Sequence, residues 1–220
     1  MILLIVILDV GASGCLIFAF AENDKNENYD SRDVTNTLIG SLQSKDAMKT
    51  YLALCDGDGT WNGKNFLDKG WFRMDQPVKD ENGKAIHAVT DICFVSAMTI
   101  QSDDDLAEGR KITLVLAKPS TGKYHQIRQH LASGFIGHAI LGDSSHGRSR
   151  TNRIWKKKRN LRKERTCLHL IKIDLPPTRY SPYGIRCYCP LPSDMNLLMN
   201  QFPELLESAR PTLEEEGLVF

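Results

Sequence analysis

Four side chains that can donate or accept hydrogen bonds lie within six residues, between two glycine-rich turns; they are His125, Gln126, Arg128 and His130. The first turn is Thr121-Gly122, and the second spans residues 137–147. So many polar groups between turns are typical of a binding or catalytic site and not of a packed wall. We expect residues 124–133 to form a short helix that carries them.

A carboxylate at position 9 is the second candidate for chemistry, because it interrupts an otherwise apolar N-terminal stretch. We interpret this stretch as two buried strands, Ile2–Leu8 and Cys15–Ala21, joined by a turn that contains Gly11 and Gly14. A buried acid in such a position frequently marks a functional site.

The alternative for residues 1–21 is a secretory signal peptide, since the stretch ends in Ala19-Phe20-Ala21. Two features oppose this alternative. No Lys or Arg precedes the apolar run, and Asp9 within it costs about 2.5–3.5 kcal/mol in a membrane. We therefore expect an intracellular protein without membrane association, and a secreted one if residues 1–21 act as a signal.

Charge is unevenly distributed along the chain. The 220 residues have a net charge of +1, but residues 148–165 hold ten Lys or Arg against one acid, which makes this segment +9 and the remainder −8. A basic segment on an acidic protein favours a polyanionic partner, although a solvated face or an import signal would look similar and the sign alone does not select RNA over DNA. The candidate phosphate-binding residues are Arg148, Arg150, Arg153, Lys156, Lys157, Lys158 and Arg159.

Short alternating apolar runs outnumber helical patterns, which predicts an α+β fold with a largely antiparallel mixed sheet and flanking helices. The predicted strands are Lys49–Cys55, Ala88–Ile100, Lys111–Ala117 and Cys167–Leu175, with an edge segment at Gly70–Lys79. A helix is predicted at Thr37–Thr50, after a polar loop at Glu22–Asn36. We expect a monomer with one domain over residues 1–200 and an acidic, helical or frayed tail over 201–220.

Familiar metal and cofactor motifs are incomplete in this chain. Asp56-Gly-Asp-Gly59 begins like a calcium loop, but Trp61 and Leu67 stand where that loop needs Gly and Glu. The pair Cys187 and Cys189 has no second pair at zinc spacing, and the six scattered cysteines fit reduced thiols. We therefore expect neither a metal nor a cofactor.

Three blocks of the sequence together resemble the RluA-like family of pseudouridine synthases, and most closely its tRNA pseudouridine synthase C branch. The blocks are Leu8-Asp9 with Ser13-Gly14, then Lys49-x-Tyr51-x-Ala53, and then Thr121-Gly-Lys-x-His-Gln-Ile-Arg128. Two short elements that follow in the family, Gly142-Asp143 and Leu168-His169, are also present.

The resemblance implies an α+β pseudouridine synthase fold and an isomerase that converts a uridine in tRNA or rRNA to pseudouridine without cofactor or metal. It implies Asp9 as nucleophile or base and Arg128 as its charge partner. Tyr51 would stack on the uracil and accept the C5 proton. The implied substrate-binding residues are Lys123, His125, Gln126 and Ile127, with Ile127 beneath the base and the basic segment on the phosphates of a flipped-out nucleotide.

This chain departs from the family pattern at its N-terminal block. Ile7 and Ala12 replace the usual Arg and Thr, and only eight residues precede Asp9, so we expect an N-terminally incomplete domain. The alternative function is therefore a truncated or degenerate homologue that binds RNA without catalysis.

Overall fold

The computed structural model describes residues 2–4, 8–20, 31–101, 110–132 and 134–218. The strands are β1 (Ile2–Leu4), β2 (Ser13–Gly14), β3 (Phe18–Phe20), β4 (Met48–Asp56), β5 (Thr60–Trp61), β6 (Lys64–Asn65), β7 (Trp71–Asp75), β8 (Val78–Lys79), β9 (Ala85–Ile86), β10 (Val89–Thr99), β11 (Lys111–Pro119), β12 (Ala139–Ile140), β13 (Leu168–Leu175) and β14 (Ile185–Tyr188). The helices are α1 (Ser31–Gln43), α2 (Gln126–Leu131), α3 (Ser149–Lys158), α4 (Ser193–Met199) and α5 (Pro203–Glu215).

One large sheet organises these elements. Its main path runs β14-β13-β4-β11-β10-β7 with antiparallel neighbours, while β12 pairs with β4 and the short β2 pairs in parallel with β13. The predicted α+β class with a largely antiparallel sheet is confirmed. The segment predicted at the edge contains β7, the last strand of this path.

The two central strands, β4 and β11, are buried on both faces, which explains their nearly continuous apolar runs. In β4 the residues from Leu52 to Cys55 are all fully buried. Helix α5 packs against β10 and contributes to the same core. The centre of the sheet is thus a rigid base for side chains at its margins.

The second N-terminal strand begins later than predicted, at Phe18 and not at Cys15. Strands β1 and β3 pair antiparallel, with Leu3 opposite Ala19, whereas residues 5–7 and 21 lie outside the described residues. The predicted turn between them contains β2, because residues 13–14 pair with β13. No helix in the described ranges is long and apolar enough to cross a membrane.

The first helix was predicted too late in the sequence. It starts at Ser31, inside the predicted loop, and ends at Gln43, while residues 22–30 lie outside the described residues. Residues 48–50 belong to β4 because they pair with residues 172–174 of β13. Strand pairing therefore decides between the helix predicted to end at Thr50 and the strand predicted to begin at Lys49.

Two C-terminal segments that are rich in charge also contribute buried residues. Much of the basic segment forms α3, whose inner side contains the fully buried Trp155. The segment predicted as an acidic, helical or frayed tail is helical: it contains α5, whose residues Leu205, Ala209 and Leu213 recur every four positions and are buried in the main core. The amphipathic spacing of these three residues is what places α5 on the sheet.

Leu205→Ala tests whether α5 is part of the core. Because Leu205 is fully buried, its truncation leaves a cavity, and we expect the free energy of unfolding to fall by about 2–5 kcal/mol. Leu197→Ala in α4 is the matched control, since Leu197 is 69% exposed and its loss should cost less than about 0.5 kcal/mol. Urea denaturation followed by circular dichroism measures both; equal effects would mean that α5 does not contribute to the core.

Candidate active site

The loop that carries Asp9 packs against the end of the basic segment and is hydrogen-bonded to it. The carbonyl oxygen of Gly11 accepts hydrogen bonds from Thr166 N at 3.1 Å and from Arg165 Nη1 at 3.0 Å. Gly11 has a φ of +85°, and a Cβ there would lie 2.3 Å from the carbonyl oxygen of Glu164. Only glycine therefore fits where the loop crosses this segment.

The same loop is attached to the sheet through β2. Ser13 pairs with His169 of β13 in the backbone, and Ser13 Oγ lies 2.9 Å from His169 Nδ1. The other ring nitrogen, Nε2, donates to the carbonyl oxygen of Cys189, so Nδ1 accepts from the Ser13 hydroxyl. Burial lowers the pKa of His169, which keeps the ring neutral for this arrangement.

This attachment bears on the two departures from the family pattern. Ile7 lies outside the described residues. At Ala12 the backbone N–H donates to the carbonyl oxygen of Asp9 at 3.0 Å and closes the turn without a side-chain hydroxyl. The contacts of Gly11 and Ser13 thus anchor the loop on either side of Ala12.

Arg128 connects two carboxylates. It lies in α2 with only 4% of its side chain exposed, and donates from Nε and Nη2 to both oxygens of Asp143 at 2.8 and 2.7 Å. Its remaining nitrogen, Nη1, lies 3.3 Å from Asp9 Oδ2. Burial opposes the charged form of Arg128, but the bonds to Asp143 and the charge of Asp9 raise its pKa above the ordinary value.

Asp143 is the buried partner in this set and is 1% exposed. Burial alone would raise its pKa, but the bonds from Arg128 and from the backbone N–H groups of Ser145 and His146 outweigh burial and lower it. The preceding Gly142 has a φ of +82°, and a Cβ there would lie 1.9 Å from the carbonyl oxygen of Arg165. This close approach explains why a glycine precedes Asp143. The sequence alone does not predict that Asp143 is the bidentate partner of Arg128.

Tyr51 projects from β4 beside the Asp9 loop. Burial is the main cause that raises the pKa of its phenol, and the negative charge of Asp9 raises it further. The phenol is therefore protonated at neutral pH. This matters for the predicted role of Tyr51 as a base, because a protonated phenol must lose its own proton first.

The loop before α2 is tied to the sheet by Gln126. Its Oε1 accepts from Thr121 Oγ1 at 2.7 Å and from Lys123 N at 3.2 Å, and its Nε2 donates to the carbonyl oxygen of Val89 and to Thr90 Oγ1. Both the oxygen and the nitrogen of the Gln126 side-chain amide are therefore hydrogen-bonded to other groups of the protein. Gln126 thus holds the loop in place, and Thr121, the first residue of the third block, contributes through its hydroxyl.

His125, His146 and Tyr124 lie together at the start of α2. His125 adopts a left-handed conformation with φ +49°, directly before α2, and stacks on the exposed Tyr124 with ring centroids 3.8 Å apart. Its Nδ1 lies 3.1 Å from His146 Nε2, and burial lowers the pKa of both rings. His130 bonds to Thr90 and to a backbone carbonyl and is structural. His146 had not been singled out in the sequence.

A pocket of about 310 Å³ lies between these groups. Its lining brings together residues from all three sequence blocks: Leu8, Asp9, Ala12, Tyr51, Pro119, Thr121, Gly122, Lys123, His125, Gln126, Ile127 and Leu168. The volume is at the small end of ligand sites, so the pocket has room for one small group and not for a double helix. The roles of these residues stay predictions.

The basic residues are placed in different ways. Arg148 donates to Asp56 Oδ2 at 3.1 Å and to the carbonyl oxygen of Gly137, and the half-buried Arg159 lies over the ring of Phe202. Other residues of the segment are on or near the surface of α3: Arg150, Arg153, Lys157 and Lys158 are exposed and Lys156 is half-buried. Among these exposed residues Arg150, Arg153 and Lys157 recur at helical spacing, so they form one outward face.

In the described ranges no group of three or more His, Cys, Asp or Glu side chains is arranged to hold a metal ion. The chemistry available at the pocket includes that of a carboxylate and a phenol, with a buried guanidinium bound to the carboxylate. These groups can provide nucleophilic and acid–base catalysis.

The sequence model of the RNA pseudouridylate synthase family matches residues 4–133, which is more than half of the chain. The protein belongs to this family, and the predicted RluA-like membership is confirmed. Among curated proteins it is similar to the tRNA pseudouridine synthase C of Yersinia pestis, with 31% identity over 150 residues that cover 66% of this chain and 53% of that protein. The corresponding protein of Pasteurella multocida is 29% identical over 157 residues, covering 66% and 56%. The chain thus spans about half the length of these relatives.

Solved structures support the fold. Human RNA pseudouridylate synthase domain containing 1 superimposes with a TM-score of 0.59 at 20% identity, covering 96% of this chain and 80% of that one. Human RNA pseudouridylate synthase domain containing 4 gives a TM-score of 0.54 at 18% identity, covering 81% and 68%. At such identities the likeness concerns the arrangement of strands and helices alone.

Asp143→Asn tests the buried ion pair. It leaves Arg128 without its bidentate partner, so we expect the free energy of unfolding to fall by about 3–5 kcal/mol at neutral pH. The lowered pKa of Asp143 means that its contribution exists above the ordinary carboxyl pKa and is lost as pH falls through the folded value. The difference between the two proteins should therefore shrink below about pH 4.

Asp91→Asn is the control for this measurement, since Asp91 pairs with Arg73, which is 63% exposed. Such a pair contributes less than about 1 kcal/mol. Urea denaturation at several pH values gives all three stabilities. A loss for Asp143→Asn no larger than the control, or one independent of pH, would contradict the assignment.

Proposed function

We propose that the protein is an RNA pseudouridine synthase that isomerises a uridine in RNA to pseudouridine, with Asp9, Tyr51 and Arg128 as the catalytic set and tRNA as the first substrate to test. The observation that carries the proposal is the position of the Asp9 carboxylate. It is 32% exposed, lines the pocket and is bound from the protein side by a buried arginine. The names of the curated relatives support tRNA as the class of RNA.

The chemistry requires no added atoms. The N1–C1′ bond breaks, the base turns over, and a C5–C1′ bond forms; the hydrogen on C5 leaves as a proton and N1 gains one. Asp9 acts as nucleophile or base at the ribose or the uracil. Arg128 binds Oδ2, so we assign the other oxygen, Oδ1, to the reaction.

Tyr51 is assigned to the uracil, as a stacking wall and as the acceptor of the C5 proton. Its pKa in the free protein is raised first by burial and second by the charge of Asp9. Formation of a covalent bond at Asp9 would consume that negative charge and remove the second cause. The phenol then becomes easier to deprotonate: its proton passes to N1 of the detached base, which must gain one, and the resulting phenolate accepts the C5 proton.

Substrate binding is assigned to the remaining pocket residues and to α3. Ile127 forms the apolar floor for the base, and Lys123 and His125 lie at the same pocket. Because the pocket holds only one nucleoside, the uridine must leave its stack to enter. The outward face of α3, with Arg150, Arg153 and Lys157, is assigned to phosphates. The bonded Gln126 is assigned to holding the loop.

Asp9→Asn is expected to lower the rate of isomerisation by at least about 10³-fold, because the amide is neither a nucleophile nor a base of comparable strength. Transcribed tRNA that carries tritium at C5 of uridine measures the reaction, since the C5 hydrogen is released to water. Carbodiimide treatment and primer extension locate the product. Asp68→Asn, an exposed acid on the loop before β7, is the matched control and should keep the wild-type rate.

Wild-type protein that binds tRNA or rRNA tightly but releases no tritium from either would reject the enzyme in favour of an RNA-binding homologue. If wild type is active and Asp9→Asn is equally active with an unchanged melting temperature, the assignment of Asp9 is wrong.

Tyr51→Phe separates stacking from proton transfer. Phenylalanine keeps the ring, so KM for RNA should stay within about threefold, whereas kcat should fall by about 10²–10⁴-fold if the hydroxyl accepts the C5 proton. Steady-state tritium release gives both constants. A variant that retains the wild-type kcat would limit Tyr51 to stacking.

A further inference from the structure

A second, larger groove continues from the pocket. Its volume is about 670 Å³, and residues Pro119, Thr121, Gly122 and Lys123 line both spaces. The opposite wall consists of the turn after α1, residues 43–47, and the start of β4. An RNA strand that places one nucleotide in the pocket and continues into the groove must pass over these shared residues.

The lining of this groove is mostly basic. It contains five basic residues and two acids, namely Lys45, Lys49, Arg73, Lys118, Lys123, Asp46 and Asp91. Two of the basic residues are paired, Arg73 with Asp91 at 2.9 Å and Lys118 with Glu216 at 2.6 Å. After these pairs, three lysines remain against one acid, so the groove keeps a positive charge that suits phosphates.

The wall has internal support. Lys49 Nζ donates to the carbonyl oxygen of Leu42 at 3.0 Å and ties the start of β4 to the end of α1. Lys45 lies between these residues in the chain and is exposed, and Lys123 is exposed on the shared wall. The three lysines therefore come from both walls of the groove.

The groove is separate from the basic segment around α3. Arg148, at the start of that segment, pairs with Asp56, the last residue of β4. The groove is lined by Met48, the first residue of the same strand. Eight residues of strand at about 3.3 Å each place these two ends about 26 Å apart. Tyr51, which lines the pocket, lies between them along the strand.

We propose that this groove binds the RNA strand on one side of the target uridine, with Lys45, Lys49 and Lys123 on its phosphates. The proposal rests on the proposed function, because it assumes that a uridine enters the neighbouring pocket. RNA would then be held on both sides of the reacting nucleotide, by the groove and by α3.

Three variants with the same change of charge test the groove: Lys45→Gln with Lys49→Gln, Lys45→Glu alone, and the control Lys64→Gln with Lys69→Gln. Lys45→Glu alters only an exposed side chain and remains informative if loss of Lys49 disturbs the turn. The control lysines are exposed on and just after the hairpin that follows the far end of β4. Melting temperatures confirm that each variant is folded.

Binding is measured by fluorescence anisotropy with a fluorescein-labelled single-stranded RNA of about 20 nucleotides, which exceeds the site size of typical single-strand binding domains. Potassium chloride is varied between about 50 and 200 mM. We expect both groove variants to weaken binding about tenfold at the lowest salt. The slope of log K against log salt should become less steep by about 1.4 for the double variant, at about 0.7 per phosphate.

Neutral methylphosphonate linkages identify the side of the uridine. RNA with such linkages on the side that occupies the groove should bind wild type and Lys45→Glu equally, whereas linkages on the other side should preserve their difference. In the isomerisation assay the groove variants should raise KM about tenfold and keep kcat.

Groove variants that bind RNA as tightly and with the same salt slope as the Lys64/Lys69 control would overturn the proposal, even if wild type is active. Wild type that binds RNA through the groove but releases no tritium would support the groove and reject the proposed catalytic function. The two proposals therefore fail by different measurements.

Discussion

The bidentate ion pair between Arg128 and Asp143 is the interaction on which the candidate site depends. An arginine that is almost fully buried requires a fixed negative partner, and the carboxylate of Asp143 provides it through two short bonds. With two of its nitrogens occupied, the guanidinium presents Nη1 in one direction only, toward Asp9. The orientation of a partly exposed carboxylate is thereby set from the protein interior.

The Asp9 loop needs support of its own, and this comes from residues distant in sequence. Its backbone rests on Gly11 contacts with Arg165 and Thr166, and its side-chain anchor is the bond between Ser13 and His169. A loop that is bound by backbone groups and by β13 tolerates an alanine at position 12. The departure from the family pattern at that position therefore leaves the turn closed.

Positive charge is divided among three uses. Arg165 supports the Asp9 loop and Arg148 neutralises the buried Asp56, while Arg150, Arg153 and Lys157 form the exposed face of α3. Counting charges along the segment does not separate these uses. An Arg or Lys is structural where an acid lies within reach and is exposed to solvent where none does, and only the fold decides which. The groove beyond the pocket was missed for the opposite reason, since its lysines are scattered in sequence and meet only in the fold.

The sequence by itself determined the family, the α+β class, and most of the strand positions, because apolar alternation and the Thr121–Arg128 block are local patterns. It also identified Asp9, Tyr51, Ile127 and Arg128 as residues that belong together. Tertiary structure decided what local patterns leave open: residues 49–50, predicted as both helix and strand, are strand because they pair with β13, the helical tail packs into the core as α5, and Asp143 is the partner of Arg128. The physical reason is that pairing, burial and charge compensation join residues far apart in the chain, and only the folded protein brings them within contact.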